Sequence, residues 1–362
     1  HLVTGKLIPH HPSNMLSKET STEYEGPDYP SPLIDKFMLE VQTKEIVRVL
    51  QMTLGYGITG HSREKQFVIM QGASNSGKSK LVAMLSAAIG LYGVTMDRDC
   101  VIGAGSRSEG AATPHLLQLE GAHIAIMEET DERPYNAANL KSIASGDGAM
   151  TVRGLHMKPV EVTMRCLPIV CTNILPRFDT KDSGTLKKLR IFPFTREFVE
   201  NPRPNTNERL IDPDLAEKIK SPEWKKQMLA WLVRGSMAWY ARGSLPLVEK
   251  LPQDMQKALE GYVEANDHFN NFVADHCILD ERKACHVDVL KQAYENYIGR
   301  RDRPMIVTEF KVLMQGLKGV TYEKQIKLER RNNTGYRGIY LRPVFPESDE
   351  GYTSASDDSS PK

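Results

Sequence analysis

The sequence predicts an α/β layered fold: a core of alternating strands and helices, preceded by a helical collar and followed by a small winged-helix domain. Three observations carry that expectation. Between residues 61 and 200, apolar strand-like runs alternate with helical patterns. One of those runs feeds a glycine-bounded loop that opens directly into a helix. Residues 265–342 read as three helices and then a two-stranded piece.

Composition bounds the possibilities first. The chain has 362 residues, enough for a full core and more than one domain, with 40% hydrophobic and 26% charged residues. Its formal net charge of +1 gives no global bias towards nucleic acid or membrane, so such contacts must come from local patches. No apolar run approaches a membrane span and no secretory pattern opens the chain. Cys100, Cys166, Cys171, Cys277 and Cys285 contain no C-x-x-C pair, which suits a reducing compartment; the chain reads as soluble and intracellular. His276-Cys277 and Cys285-His286 look like zinc ligands, but adjacent residues seldom both turn to one metal, and core packing at a helix end is the better reading. The first residue is His1 and not Met, so a fragment or processed form of something longer is expected.

Taken in order, residues 1–60 begin turn-rich (Gly5, Pro9, Pro12, Pro27) and then place Ile34, Phe37, Met38, Val41, Ile46, Val47, Leu50 and Leu54 at near-helical spacing. Residues 61–200 form the core, with strands expected at Phe67–Gln71, His123–Met127, Leu167–Thr172 and Arg190–Phe194. Residues 201–264 return to helix, with a tryptophan and methionine stripe (Trp224, Met228, Trp231, Met237, Trp239) of the kind that fills cores. Residues 265–345 make the small domain, its hairpin expected at Tyr322–Leu328 and Tyr336–Leu341 around an Asn332-Asn333-Thr334-Gly335 turn. Residues 346–362 are acidic and serine-rich without apolar anchors, the composition of a disordered tail.

The chemistry centres on Gly72-Ala73-Ser74-Asn75-Ser76-Gly77-Lys78-Ser79. Glycines let backbone N–H groups curl around a phosphate, and the following helix adds its positive end. Lys78 is placed for the β/γ-phosphates and the Ser79 hydroxyl for Mg²⁺, so ATP with Mg²⁺ is the expected cofactor pair. A second apolar run, His123–Met127, ends in Glu128-Glu129-Thr130-Asp131-Glu132, which puts carboxylates at a sheet edge. Glu129 is the expected catalytic carboxylate, with Glu128 or Asp131 supporting the metal. A third run, Leu167–Thr172, delivers Asn173 to the same edge, where an amide can bond both γ-phosphate and attacking water.

Two basic features point outward. Met150–Arg153 and Val160–Met164 read as a hairpin with Arg153, His156 and Lys158 at its tip. That tip suits a single strand's phosphates in a pore, and on these residues alone suits an ordinary water-facing hairpin equally. In the small domain, Lys324, Lys327, Arg330 and Arg331 crowd the second hairpin, with Arg337 and Arg342 beside them. They form a basic wing that fits a phosphate backbone or a solvated surface.

In this order the motifs resemble the superfamily-3 helicases, and within them the phage/plasmid primase and poxvirus-type helicase-primase branch. The likeness is carried by Gly72–Ser79, Glu128-Glu129-Thr130, Gly146-Asp147, the tip around Arg153 and Lys158, Thr172-Asn173 and Lys187–Phe194, and it extends over nearly the whole chain. The resemblance implies an AAA+-related core, a homo-oligomeric ring that is usually a hexamer, and 3′→5′ movement on single-stranded or forked DNA. It also implies an arginine finger reaching the neighbour's nucleotide, and often a primase domain upstream. Here the chain departs from the family. Paired arginines usually precede the strand ending in Pro-Phe, whereas this sequence has Lys187-Lys188 with Arg190 two further on, which leaves the finger to Lys188 or Arg190. Lysine lacks the bidentate fork. The function expected is an ATP-dependent replicative DNA helicase of a virus, phage, plasmid or mobile element. The alternative is an ATP-switched DNA-binding initiator or scaffold protein without unwinding activity, which the lysine pair favours. A small-molecule kinase would need a lid and acceptor pocket, for which the sequence offers no candidate.

Overall fold

The computed structural model describes residues 1–102, 113–128, 135–146, 149–154, 156–176, 188–265, 267–299, 307–328 and 331–343. Contacts divide the chain into two compact units, His1–Asn266 and Asp267–Lys362. Among the described residues no helix is long and apolar enough to cross a membrane.

The strands of the first unit are β1 (Phe67–Gly72), β2 (Gly93–Thr95), β3 (Ile124–Glu128), β4 (Met150–Val152), β5 (Val160–Val162), β6 (Leu167–Thr172), β7 (Leu189–Phe194), β8 (Glu197–Val199) and β9 (Glu208–Leu210). Five of them form one parallel sheet in the order β2-β3-β6-β1-β7. The four expected strands are the inner three of this order and its β7 edge; β2, only three residues long, was not legible in the sequence. Side chains alternate across the sheet. Val68, Met70, Ile169 and Phe192 enter one apolar cluster, while Phe67, Ile69, Val170 and Ile191 enter another. Both faces are covered, as an all-parallel sheet requires, which is why these strands read as unbroken apolar runs.

The first face carries α1 (Pro32–Val41), α2 (Lys44–Gly57), α3 (Lys78–Ile89) and the long helix Pro222–Arg242. Thr43 caps α2 through Ile46 N–H; Ser221 caps the long helix through Trp224 N–H, and Gly243 ends it at φ +89°. Residues expected to form a separate collar and extension thus share one layer over the sheet. They meet backbone to backbone. A Cβ on Gly55 would lie 2.3 Å from Gly235 C and Ser236 N, and one on Gly235 would lie 2.1 Å from Gln51 O. Arg234 of the long helix also donates to Pro27 O at 3.0 Å and Tyr29 O at 2.8 Å, which fastens the turn-rich N-terminal stretch. The second face carries Ala137–Ser145, the β4–β5 hairpin and Gln253–Ala265.

In the second unit, helix His268–His276 leads into a strand, β10 (Cys277–His286), and then helices Val287–Tyr297 and Val307–Met314, followed by β11 (Thr321–Leu328) and β12 (Arg331–Leu341). The three strands form an antiparallel sheet in the order β10-β12-β11 over a core of Phe269, Phe272, Leu290, Tyr294 and Phe310. Two sequence expectations are corrected. Cys277 and Ile278 begin a strand and do not end a helix, because their edge pairs with Leu341 and Tyr340. Asn332–Gly335 lies within β12, and the hairpin closes at Leu328↔Arg331 instead. The reason is register: Gly335 pairs on both sides, with Glu323 and with His286, so it belongs to the ladder. Cys277 and Cys285 pack in the core, as expected. The expected tail lies outside the described residues.

The Gly55–Gly235 contact leaves no room for a methyl group, and the blocking atoms are backbone. Gly235→Ala should destabilise the chain by about 1–3 kcal/mol, the usual cost of overpacking. A lowered urea midpoint with unchanged helicity would show this; a wild-type midpoint would mean the two helices separate at little cost.

Candidate functional site

Gly72 ends β1 and α3 starts at Lys78, so the whole loop Gly72–Ser79 sits at the C-terminal edge of the sheet, beside its central strand. Its conformation needs its glycines. Gly77 stands at φ +93°, and a Cβ there would lie 2.6 Å from Val41 Cγ1 of α1. A Cβ on Gly72 would lie 2.2 Å from Phe194 O. Asn75 also takes a positive φ of 58°, as asparagine tolerates, and its carbonyl accepts from Phe198 N–H at 2.9 Å. The loop is therefore braced by α1, β7 and β8 at once.

Lys78 is buried, 7% exposed, and its ammonium donates to Gly72 O at 2.7 Å, Ala73 O at 2.8 Å, Ser76 Oγ at 3.0 Å and Asn173 Oδ1 at 3.2 Å. Burial pulls its pKa below the usual lysine value. Asn173 stands just past β6, and its amide nitrogen reaches Ser74 Oγ at 3.4 Å. Two sequence-predicted residues, 95 positions apart, are thus joined through one hydrogen bond. Ser79 is exposed at the start of α3, and Glu128, the last residue of β3, is exposed at the same sheet edge. Both face one cleft of about 1370 Å³ together with Ser74–Lys80 and Asn173. Cys171, near Lys78 and Glu128 in that cleft, has its thiol pushed up to about 12 by burial and is chemically quiet.

Ser79 and Glu128 both line the cleft, and a hydroxyl and a carboxylate are the kinds of oxygen donor that a hard divalent cation takes. Glu129, Asp131, Lys187 and Arg330 lie outside the described residues.

Of the two expected finger residues, Lys188 is half-buried immediately before β7. Arg190 is a different matter. It is 5% exposed, points into the helical face of the sheet and donates to its own Leu189 O at 3.0 Å. Its guanidinium is not offered to another molecule in this arrangement, and burial lowers its pKa against the pull of Glu64 and Glu249.

The expected hairpin is present, with Met150↔Val162 and Val152↔Val160 in register. Arg153, His156 and Lys158 are exposed at its tip, where Arg153 Nε donates to Met157 O at 3.1 Å and His156 holds a positive φ of 57°. In the second unit Lys324, Lys327 and Arg331 are exposed along the β11–β12 hairpin, whereas Arg337 pairs with Glu323 at 2.6 Å. Trp231 and Trp239 fill the core as expected, at 1% and 0% exposure, but Trp224 of the same stripe lines the cleft. Nothing in its spacing distinguished it.

No family model matches the chain. It is 23% identical over 255 residues to "Putative helicase L207/L206" of Acanthamoeba polyphaga mimivirus, covering 68% of this chain and 26% of that protein. It is 20% identical over 283 residues to "Putative primase C962R" of African swine fever virus, covering 76% of this chain and 29% of that one. Among solved structures, "The apo structure of NrS-1 C terminal region (305-718)" matches with a TM-score of 0.45 at 14% identity, over 90% of this chain and 78% of that chain. The chain thus spans about a quarter of the length of the curated relatives it matches. These homologues agree with the class the motifs indicate, the superfamily-3 helicases. Within that class they agree with its helicase-primase branch.

Gly77→Ala should weaken binding of inorganic tripolyphosphate by about tenfold or more in calorimetry, with the far-UV circular dichroism spectrum unchanged, because the loop must abandon its φ or displace Val41. Unaltered binding would show that the loop conformation described here is not the one that takes phosphate.

Proposed function

We propose that this chain is the ATP-driven motor part of a viral or mobile-element DNA replication helicase. The observation that carries the reading is the Lys78–Asn173 pair, set on a braced phosphate loop at the edge of a parallel sheet and open to a cleft with Glu128. The triphosphate takes the place of loop carbonyls as partner of Lys78, while the backbone N–H groups at the start of α3 face its anionic oxygens. Ser79, with Glu128 or Asp131, would hold Mg²⁺, which when bound would supply neutralisation of phosphate charge. Glu129 orients the attacking water, and Asn173 links that event to Lys78.

Assembly as a homo-oligomeric ring, with six subunits as the family's usual number, makes the site composite. Lys188 is then the residue offered to the neighbouring subunit's nucleotide, since Arg190 is committed to its own core. The β4–β5 hairpin tip with Arg153, His156 and Lys158 holds single-stranded DNA in the pore. The second unit, with three helices and a three-stranded sheet, is a winged-helix module, and Lys324, Lys327, Arg330 and Arg331 lie along the DNA backbone. A primase segment upstream in the full protein accords with the description of the African swine fever virus relative. One observation favours the second reading, an ATP-switched initiator or scaffold: of the two candidate finger residues Arg190 is buried, which leaves Lys188, and lysine lacks the bidentate geometry that speeds turnover.

ATP hydrolysis with and without single-stranded DNA, alongside strand displacement on a 3′-tailed duplex, tests the proposal. Wild type should hydrolyse ATP faster with DNA and unwind; Lys78→Ala should do neither. Hydrolysis without unwinding moves the assignment to the switch. Glu129→Gln should keep ATP binding and lose turnover, and normal turnover there removes Glu129 from its role. Lys158→Ala should keep basal hydrolysis while losing its stimulation by DNA; surviving unwinding would exclude the hairpin from the DNA path.

A further inference from the structure

Exposed aromatic rings are scarce in this protein. Among the described residues, the phenylalanine, tyrosine and tryptophan side chains classed as exposed are Tyr297 and Tyr322, at 36% and 39%, and both belong to the second unit. Exposed aliphatic side chains, by contrast, are scattered along the whole chain. Tyr297 is hemmed by other rings, Phe272 at 5.7 Å and His276 at 5.1 Å between centroids. Tyr322 is different. The Lys311 ammonium stands over its ring, 3.9 Å from the centroid.

The ring is held in place by the core of the unit. β11 is an edge strand of the order β10-β12-β11, so Tyr322 has a paired neighbour on one side only. That neighbour is Tyr336, its register partner on the central strand, and the two rings meet at 5.6 Å. Tyr336 is 3% exposed and its ring reaches Phe310 at 6.3 Å, so Tyr322 leans on a buried aromatic row. The turn that feeds β11 is fixed as well. A Cβ on Gly338 of β12 would collide with Gly319 O, so that turn lies tight against the central strand. A ring positioned in this way loses little freedom when a ligand stacks on it.

The exposed charges around it have one sign. Lys324, Lys327 and Arg331 are exposed on the same hairpin, and Lys318 is exposed in the turn before it. Glu323, the neighbouring acid, is already taken by Arg337 at 2.6 Å. An aromatic ring carrying an ammonium, among exposed cations, suits a ligand that is both flat and anionic. A duplex presents its phosphates but keeps its bases stacked on each other, so it uses the cations and not the ring. An unpaired strand uses both.

We infer that Tyr322 is a stacking platform for an unpaired DNA base, which makes the second unit a reader of single-stranded DNA as well as of duplex backbone. Base–aromatic stacking is stronger than an exposed cation–π contact, so the base takes the place of Lys311 on the ring and the freed ammonium meets an adjacent phosphate. This rests on the DNA-binding reading above and adds the state of the DNA that the unit selects.

The test irradiates the full chain with a single-stranded thymidine oligonucleotide carrying iododeoxyuridine, which joins covalently to an aromatic side chain stacked on it, and maps the adduct after trypsin digestion. Cleavage at Lys318 and Lys324 releases Gly319–Lys324, in which Tyr322 is the only aromatic residue. The adduct should fall on that peptide with the single strand and be missing with a duplex carrying the same label. Tyr322→Leu should weaken single-strand binding about tenfold in fluorescence anisotropy, and Tyr322→Phe should restore it. An abasic oligonucleotide of equal length should bind wild type and Tyr322→Leu alike. Single-strand binding with adducts only elsewhere, and with wild-type affinity in Tyr322→Leu, overturns the platform and leaves the DNA-binding reading in place. If neither single strand nor duplex binds, the DNA-binding reading falls and the platform falls with it.

Discussion

The backbone contact between Gly55 and Gly235 is the constraint on which the first unit depends. With no side chain at either position, α2 and the long helix Pro222–Arg242 lie against each other as one layer. That layer covers one face of the five-stranded sheet, and an all-parallel sheet cannot leave a face wet. α1 packs in the same layer. Val41, at the last turn of α1, fills the space beside Gly77, so the conformation of the phosphate loop is held by residues far from it in sequence.

Lys78 shows the electrostatic consequence. A buried ammonium is costly unless hydrogen-bonded. Here four oxygens of the chain satisfy it, among them the side chain of Asn173 from a different strand. Because the acceptors are loop carbonyls, a serine hydroxyl and an amide rather than a carboxylate, the lysine keeps its positive charge unneutralised by any of these four partners. An anionic ligand is therefore an electrostatically stronger partner than those it replaces. The same logic separates Lys78 from Arg190: both are buried, but Lys78 opens to the cleft and Arg190 lies under the helical layer.

The second unit is built on a different principle, local pairing around a compact aromatic core. β12 is its central strand, bonded to β10 on one side and β11 on the other. Central placement explains why an Asn-Asn-Thr-Gly stretch, a turn by composition, runs as strand: its backbone is claimed from both sides at Gly335. The exposed lysines and arginine at the hairpin end face away from that core, whereas Arg337 is held by Glu323.

Local signals were sufficient for much of this protein. The phosphate loop, the four long strands, the hairpin tipped by Arg153 and Lys158, and the helix bearing Met228 and Trp231 each depend on neighbouring residues: glycines where backbone must turn, apolar runs where a strand is buried twice, an apolar stripe at helical spacing. β2 was illegible because three residues carry no periodicity, and β10 because its charged stretch from Asp280 to Lys283 bulges out of the ladder. Trp224 could not be told from Trp231 by spacing, since only the crossing of α1 with the long helix decides which tryptophan meets the cleft. The same holds for Arg190, a basic residue at a plausible position whose side of the strand was hidden until the layer above it was known. The sequence by itself determined which motifs the chain carries, because each is written in short contiguous runs of residues. Only the tertiary structure decided which of its residues share a site, because burial and proximity arise from packing between segments far apart in the chain, such as Lys78 and Asn173, 95 positions apart.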